Sequence, residues 1–251
     1  MSLKDKVAVV TGAGRNIGEA IAHRLADDGA AIAVVDLDQG RADKVVADLS
    51  RKGISTAAFV CDVSSPDQIE TTAGEIHAHF GRINILVNNV AISDNKNILD
   101  IDLVTWQRTL DITLTAPFYF AKCVAHKMVE DQTAGNIVNV SSTTGYFGRG
   151  RAIAYAAAKG GVVNLTRAMA IQLSDYNIRV NSVVPNKIGS PVGKDDFDPS
   201  RPIVNLRNRP GVPNDLANAV AFLVSDQSDF IVGTDLFVDG GCSVIMPGGS
   251  G

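Results

Sequence analysis

Short apolar runs rich in β-branched residues alternate along this chain with longer stretches of amphipathic character. The short runs are Val7–Val10, Ala31–Val35, Ser55–Cys61, Ile83–Val87, Asn136–Val140, Ile178–Val184 and Asp235–Val238. Runs so nearly apolar throughout predict strands covered on both faces, and the longer stretches between them predict helices in βαβ units. The pattern therefore points to an α/β protein built on a parallel sheet. Pro66, suited to the first turn of a helix, opens one that runs to about Phe80, and a long helix carries Tyr155 through Leu173. The rhythm breaks between Pro185 and Pro213, where six prolines and many polar residues predict neither helix nor strand. An irregular segment of that length inside a compact fold is usually functional.

Composition narrows the class. At 251 residues and 45% apolar content, with no linker, repeat or low-complexity block, residues 1–247 are expected to form one domain. Gly248-Gly249-Ser250-Gly251 reads as a flexible tail. The net charge of −4 offers no basic surface for nucleic acid. No apolar stretch approaches the ~20 residues of a membrane span, and the N-terminus lacks the charged-then-apolar pattern of a signal peptide. Cys61, Cys123 and Cys242 are widely spaced and without a C-x-x-C pair, as expected of small core residues in a reducing cytoplasm. His77 and His79, two apart on a helix, face different ways, so no metal site is expected.

Two constellations carry chemistry. The first strand runs into Thr11-Gly12-Ala13-Gly14-Arg15-Asn16-Ile17-Gly18 and then an alanine-rich helix. A glycine turn in that setting brings backbone N–H groups up to a pyrophosphate at the helix N-terminus. The second strand ends in Asp36, whose carboxylate is placed to accept hydrogen bonds from an adenosine ribose. The other constellation is Tyr155 and Lys159, four apart on one helical face, with Ser142 at the end of Asn136–Val140 and its following serines. A lysine charge ~5 Å from a phenol at an effective dielectric of ~20 is worth roughly 3 kcal/mol, or about two pKa units. That draws the phenol toward the range useful for general acid–base work. Ser142 is placed to hold a carbonyl oxygen beside it.

Taken in order, T-G-x-x-x-x-I-G, Asn88-Asn89, Ser142 and Y-x-x-x-K resemble the short-chain dehydrogenase/reductase family, from about Lys6 to Gly241. The resemblance implies a doubly wound (Rossmann) seven-stranded parallel sheet in the order 3-2-1-4-5-6-7 with helices on both faces, commonly in a homotetramer. It implies that Ser142 positions substrate, Tyr155 exchanges the proton, and Lys159 binds the nicotinamide ribose and lowers the Tyr155 pKa. It makes Gly12, Arg15, Asn16, Ile17, Gly18, Asp36, Leu37, Asp62, Val63, Asn89, Pro185, Ile188 and Ser190 cofactor contacts, and 186–212 the substrate lid. Thr144, just past Ser142, is expected to line the substrate pocket.

The chain departs from the family at several points. Asn16 stands where a glycine is usual, and asparagine tolerates positive φ better than most residues. Val90-Ala91 adds bulk after Asn89, Asn186 replaces another glycine, and Thr113 falls where an asparagine normally supports a water in the proton relay. Asp36 repels a 2′-phosphate and favours NAD, whereas Arg15 is the kind of residue that reaches that phosphate in NADP-using relatives. Asp62 has a second reading as the helix cap before Pro66. Arg149 and Arg151 read as solvated surface cations, with a substrate carboxylate as the alternative. The expected activity is NAD-dependent interconversion of a secondary alcohol and a ketone. The alternatives are an NADPH-dependent 3-oxoacyl carrier-protein reductase and a non-catalytic dinucleotide-binding protein. The carrier reading rests on Lys122 and Lys127, because Ala170-Ile171-Gln172-Leu173 offers no cation.

Overall fold

All seven expected strands form, each within two residues of the bounds the apolar runs imply: β1 (Val7–Thr11), β2 (Ala31–Asp36), β3 (Thr56–Val60), β4 (Ile85–Asn88), β5 (Gly135–Val140), β6 (Ile178–Pro185) and β7 (Asp235–Val238). The computed structural model describes residues 2–194 and 202–245. The lid assigned to 186–212 therefore lies partly outside the described residues, and the tail at 248–251 wholly so. The strands make one parallel sheet in the order β3-β2-β1-β4-β5-β6-β7.

Side chains alternate between the two faces with the strand period of two. Ala8, Val10, Ile32, Val34, Ile85, Val87 and Val138 pack with α1 (Asn16–Asp27), α2 (Gln39–Arg51) and α7 (Pro213–Val224). Val9, Ala33, Val35, Leu86 and Ile137 pack on the opposite face with α3 (Pro66–Phe80), α5 (Ala116–Glu130) and α6 (Ile153–Leu173). Both faces are covered, which is why the strands read as apolar runs instead of alternating ones.

Helix boundaries follow local chemistry. The Asp38 carboxylate accepts from the Arg41 N–H at 2.9 Å and starts α2. Ser65 accepts from the Gln68 N–H and, with Pro66 at the first position, starts α3, which ends at Gly81 with φ +75°. Ser65 thus fills the cap role considered for Asp62, whose carboxylate instead accepts from the Ser64 N–H and hydroxyl. Between α4 (Leu103–Leu110) and α5 the chain does not break. It widens into a π-helical turn over Asp111–Thr115, a feature often found beside functional sites and one that leaves no mark in the apolar periodicity.

The register sets the carboxyl ends of β1, β2 and β4 side by side, with Thr11 opposite Val35 and Val10 opposite Val87. Chain direction reverses its walk across the sheet between β1 and β4, and ligands of such sheets bind in the crevice this leaves.

Candidate active site

A cavity of about 650 Å³ occupies that crevice. Every residue expected to contact cofactor or substrate lines it, namely Gly12, Arg15, Asn16, Ile17, Gly18, Asp36, Leu37, Asp62, Val63, Asn89, Ser142, Thr144, Tyr155, Lys159, Pro185, Ile188 and Ser190. Thr113 does not.

The glycine turn is held by close backbone approach. Gly12 has φ +63°, and a Cβ on Gly18 would fall 2.0 Å from the Gly12 carbonyl oxygen and 2.7 Å from Asn89 Nδ2. Only glycine fits at position 18. Asn89 Nδ2 donates to the carbonyls of Thr11 at 2.9 Å and Gly12 at 3.2 Å, fixing the turn against the end of β4. Asn16 adopts φ +51°, so asparagine carries the left-handed conformation usual for glycine there. Its side chain then does what a glycine cannot: Oδ1 accepts from the Ser190 N–H at 3.3 Å, joining the turn to the loop after β6. A second tie is made at Asn186, whose Nδ2 contacts Cys242 Sγ at 2.9 Å. Cys242 is therefore partly buried at the root of the lid segment, whereas Cys61 is buried in the core as expected.

At the end of β2 the Asp36 carboxylate is 8% exposed and accepts from the backbone N–H groups of Gly14 at 2.9 Å and Asp38 at 3.1 Å. One residue here was missed by sequence reasoning. The first turn of α2 brings Arg41 back over the glycine turn, so that a Cβ on Gly14 would lie 2.6 Å from Arg41 Cβ and 2.8 Å from Asp36 Oδ2. Burial and the charge of Arg41 hold the Arg15 guanidinium below its usual range, with Asp36 opposing. Two arginines thus flank the carboxylate. The local signal was available, since a cap at Asp38 puts residue 41 on the turn facing back.

The residues present fit a nicotinamide dinucleotide: a glycine turn too tight for side chains, backbone donors at the N-terminus of α1, and a fixed carboxylate at the adenosine end.

At the other end, Ser142 and Thr144 arrive from a 3₁₀ turn after β5 (Thr143–Gly145), and Ser142 Oγ accepts from the Thr144 N–H at 3.2 Å. Tyr155 and Lys159 project from the first turns of α6 and are only 5% and 2% exposed. The Lys159 ammonium lies 5.8 Å from the Tyr155 ring centre and donates to the Val140 carbonyl. Burial pulls the Lys159 pKa down to about 7. Burial also pushes the Tyr155 phenol up, opposed by its hydrogen bond with Ser142 and by the charge of Arg149. This differs from the expectation that Lys159 draws the phenol down. An effective dielectric of ~20 suits a partly solvated pair, whereas the fold removes water from both groups, and a lysine that is hard to charge pulls weakly.

The start of α6 is set by a segment the sequence did not single out. Asp94 Oδ1 accepts from the Tyr155 N–H at 3.0 Å, and the Lys96 carbonyl accepts from the Ala152 N–H at 2.7 Å. Ala152 is fully buried at φ +68°. The loop after β4 therefore caps the helix that carries the phenol.

Thr113, in the π turn, holds the same loop from behind. The π turn directs its fully buried hydroxyl to the backbone of Ile92, donating to the carbonyl and accepting from the N–H, each at 3.2 Å. The back-bond to a carbonyl one turn earlier, open to a helical threonine, is made by Thr109 instead. Ile92 and Ile112 line the cavity, so Thr113 acts one layer behind it. Outside the cavity, α1 and α2 bring Glu19, His23 and Asp48 together, with possible ligand atoms within 4.8 Å of one another. That grouping joins two elements and has no sequence signature.

A family model described as enoyl-(acyl carrier protein) reductase matches residues 12–243. The 2-(S)-hydroxypropyl-CoM dehydrogenase 3 of Xanthobacter autotrophicus is 36% identical, with 97% of this chain and 98% of that protein covered. The meso-2,3-butanediol dehydrogenase of Serratia marcescens is 35% identical, with 97% and 96% covered. The crystal structure of NAD+-bound xylitol dehydrogenase matches with a TM-score of 0.88 at 33% identity, covering 96% of this chain and 100% of that one. The chain belongs to the short-chain dehydrogenase/reductase family, whose members bind a nicotinamide dinucleotide and act as oxidoreductases.

Two tests arise from this geometry. Thr113→Val should cost about 1–3 kcal/mol by urea unfolding, because both backbone groups of Ile92 lose their buried partner. A kcat loss of about tenfold or more at unchanged stability would instead place Thr113 in the proton relay. Lys159→Met should stabilise the ligand-free protein near pH 7 and below. The folded-state pKa is about 7 against an ordinary 10.5, so between these values the unfolded chain holds the extra proton. Wild-type stability then rises with pH across that window, and the substitution removes the rise. The melting-temperature gap between the two proteins, several degrees or more at about pH 6, should close toward about pH 10; a gap independent of pH would overturn the assignment.

Proposed function

We propose that this protein interconverts a secondary alcohol and a ketone by hydride transfer, with NAD as cofactor. The observation that carries the reading is the convergence of Ser142, Tyr155 and Lys159 on the cavity that the glycine turn and Asp36 also line. A dehydrogenase needs the proton-transfer groups and the dinucleotide cradle in one cleft; a non-catalytic binding protein needs only the cradle.

The bound nicotinamide supplies the hydride acceptor or donor. In oxidation, the Tyr155 phenolate takes the proton of the substrate hydroxyl while the Ser142 hydroxyl holds the same oxygen. Lys159 would hold the nicotinamide ribose and, when charged, stabilise the phenolate. Thr113 is retained as a positioning residue through Ile92. The cofactor contacts would be the turn residues Gly12 to Gly18 for the pyrophosphate, Asp36 and Leu37 for the adenosine ribose, Asp62 and Val63 for adenine, and Pro185, Ile188 and Ser190 toward the carboxamide. Residues 186–212 would close over substrate.

NAD is favoured because Asp36 is immobilised by two backbone N–H groups and cannot swing away from a 2′-phosphate. A like charge fixed there, partly desolvated, is costly. Arg15 and Arg41 work in the other direction. The carrier-protein reading is weaker: Lys127 is paired with Glu130 at 2.8 Å, and Lys122 lies over the Tyr119 ring. Among the described residues no helix is long and apolar enough to cross a membrane. A homotetramer in the cytoplasm is the assembly and location we favour on the resemblance to the family; Leu99, Leu103 and Val104, each at least 80% exposed at or just before the start of α4, are apolar residues that a subunit contact would cover.

Tyr155→Phe should abolish turnover of a responsive secondary alcohol while leaving NAD binding, read by calorimetry, nearly unchanged. Activity within about tenfold of wild type would remove Tyr155 from the proton transfer. In the wild type, oxidation should quicken as pH rises into the alkaline range, because the buried phenol gives up its proton only there.

Asp36 sets the cofactor test. NAD should exceed NADP by about tenfold or more in kcat/KM, and Asp36→Ala should narrow the ratio by weakening NAD and relieving NADP. Equal use of the two cofactors by the wild type would mean that Arg15 and Arg41 outweigh the carboxylate.

A further inference from the structure

The charge that lines the cleft runs against the charge of the chain. The sequence carries 23 basic and 27 acidic residues, yet among the described residues seven basic side chains line the cavity against two acidic ones. Both acids, Asp36 and Asp62, lie at the adenosine end. Arg15 and Arg41 lie there too, and the pyrophosphate of a dinucleotide falls at the glycine turn beside Arg15.

The reacting end is different. Arg149 and Arg108 line it with Phe147, Ile112 and Tyr155, and among the described residues no carboxylate lines that end. Arg149 stands in the segment between the 3₁₀ turn after β5 and α6, where its charge reaches the Tyr155 phenol. Its side chain is exposed. On the loop after β4, the Asp94 carboxylate is occupied by the backbone N–H groups of Tyr155 and Lys96. Lys187, also basic and at the cavity wall, donates to the Pro202 carbonyl. Arg151, two residues past Arg149, does not line the cavity, so the fold selects one of the two arginines.

An exposed guanidinium at the edge of a cleft whose lining includes apolar Phe147 and Ile112 is a receptor for a carboxylate, sulfonate or phosphate, which it can meet in a bidentate fork. We propose that the substrate is a secondary alcohol, or its ketone, bearing an anionic group, and that Arg149 receives that group, with Arg108 adding to the positive field. This rests on the dehydrogenase reading above. Arg149 would thus set which alcohols are used, holding the charged end so that the carbinol carbon meets Ser142 and Tyr155.

Binding and turnover test the two readings separately. Ketones are titrated calorimetrically into the NAD+ complex, in which no hydride can move, as acid and amide pairs: 3-oxobutanoate with 3-oxobutanamide, and 4-oxocyclohexanecarboxylate with its amide. The acid should bind about tenfold or more tightly than the amide, as one charge-assisted hydrogen bond provides. Arg149→Met should erase that preference, chiefly by weakening the acid, and Arg149→Lys should restore part of it. A panel in which no acid outbinds its amide, whether both bind alike or neither binds, overturns the anion subsite. So does a preference that survives Arg149→Met. If Arg149 serves only to tune Tyr155, Arg149→Met will shift the pH profile of turnover for charged and uncharged substrates alike with no acid preference in binding, which also overturns it. Turnover of uncharged ketones with NADH decides the dehydrogenase reading independently, since loss of the subsite leaves it standing.

Discussion

The seam between β1 and β4 is the constraint on which the site depends. The Thr11 hydroxyl donates to the Val87 carbonyl and accepts from the Asn89 N–H at 3.0 Å, while the Asn89 amide returns to the carbonyls of Thr11 and Gly12. Asn84 Oδ1 accepts from the Val7 N–H at the opposite end of the same pair. The strands are clamped at both ends just where the sheet order reverses. Gly18 can pack onto the Gly12 carbonyl only because this clamp holds the turn still, and the N-terminus of α1 is then aimed into the crevice. Loosening the seam would move phosphate donors, Asp36 and the loop after β4 together.

That loop makes the seam matter to chemistry as well as to binding. It leaves Asn89, passes Ile92, where Thr113 clasps it from behind, and reaches Asp94 and Lys96, which cap α6. The phenol and ammonium of the proposed reaction therefore stand on a helix whose first turn is positioned from the cofactor side of the cleft. Shared positioning of this kind keeps two reacting partners within the sub-ångström tolerance that hydride and proton transfer require. The π turn at Asp111–Thr115 is the local accommodation that lets Ile112 line the cavity while Thr113 turns to Ile92.

The site is also a place of electrostatic tension. A lysine buried to 2% exposure and a phenol to 5% are both pushed toward their uncharged forms by loss of water, although the reaction proposed for them moves charge through both. Such groups are unfavourable to stability and are retained where function uses the perturbed protonation. Around them the fold gathers positive charge from segments far apart in sequence, and the charge of Arg149 works against the rise in the Tyr155 pKa.

Strand number and strand bounds were legible in the sequence because each rests on local chemistry, whereas most of the residues along the cleft were legible only through the resemblance to the family. Apolar runs of β-branched residues make buried strands, a glycine turn before a helix makes an anion cradle, and spacing of four puts Tyr155 and Lys159 on one helical face. Asn16 was legible in the same way, as a residue able to hold positive φ. What the tertiary structure alone decided involves neighbours that are distant in the chain. Arg41 beside Asp36, the capping of α6 by Asp94 and Lys96, the tie from Asn16 to Ser190, and the turning of Thr113 toward Ile92 all join separate elements. So does the choice of Arg149 over Arg151. The directions of the Tyr155 and Lys159 pKa shifts belong here too, because desolvation is set by everything packed around a group and not by the residue four positions away.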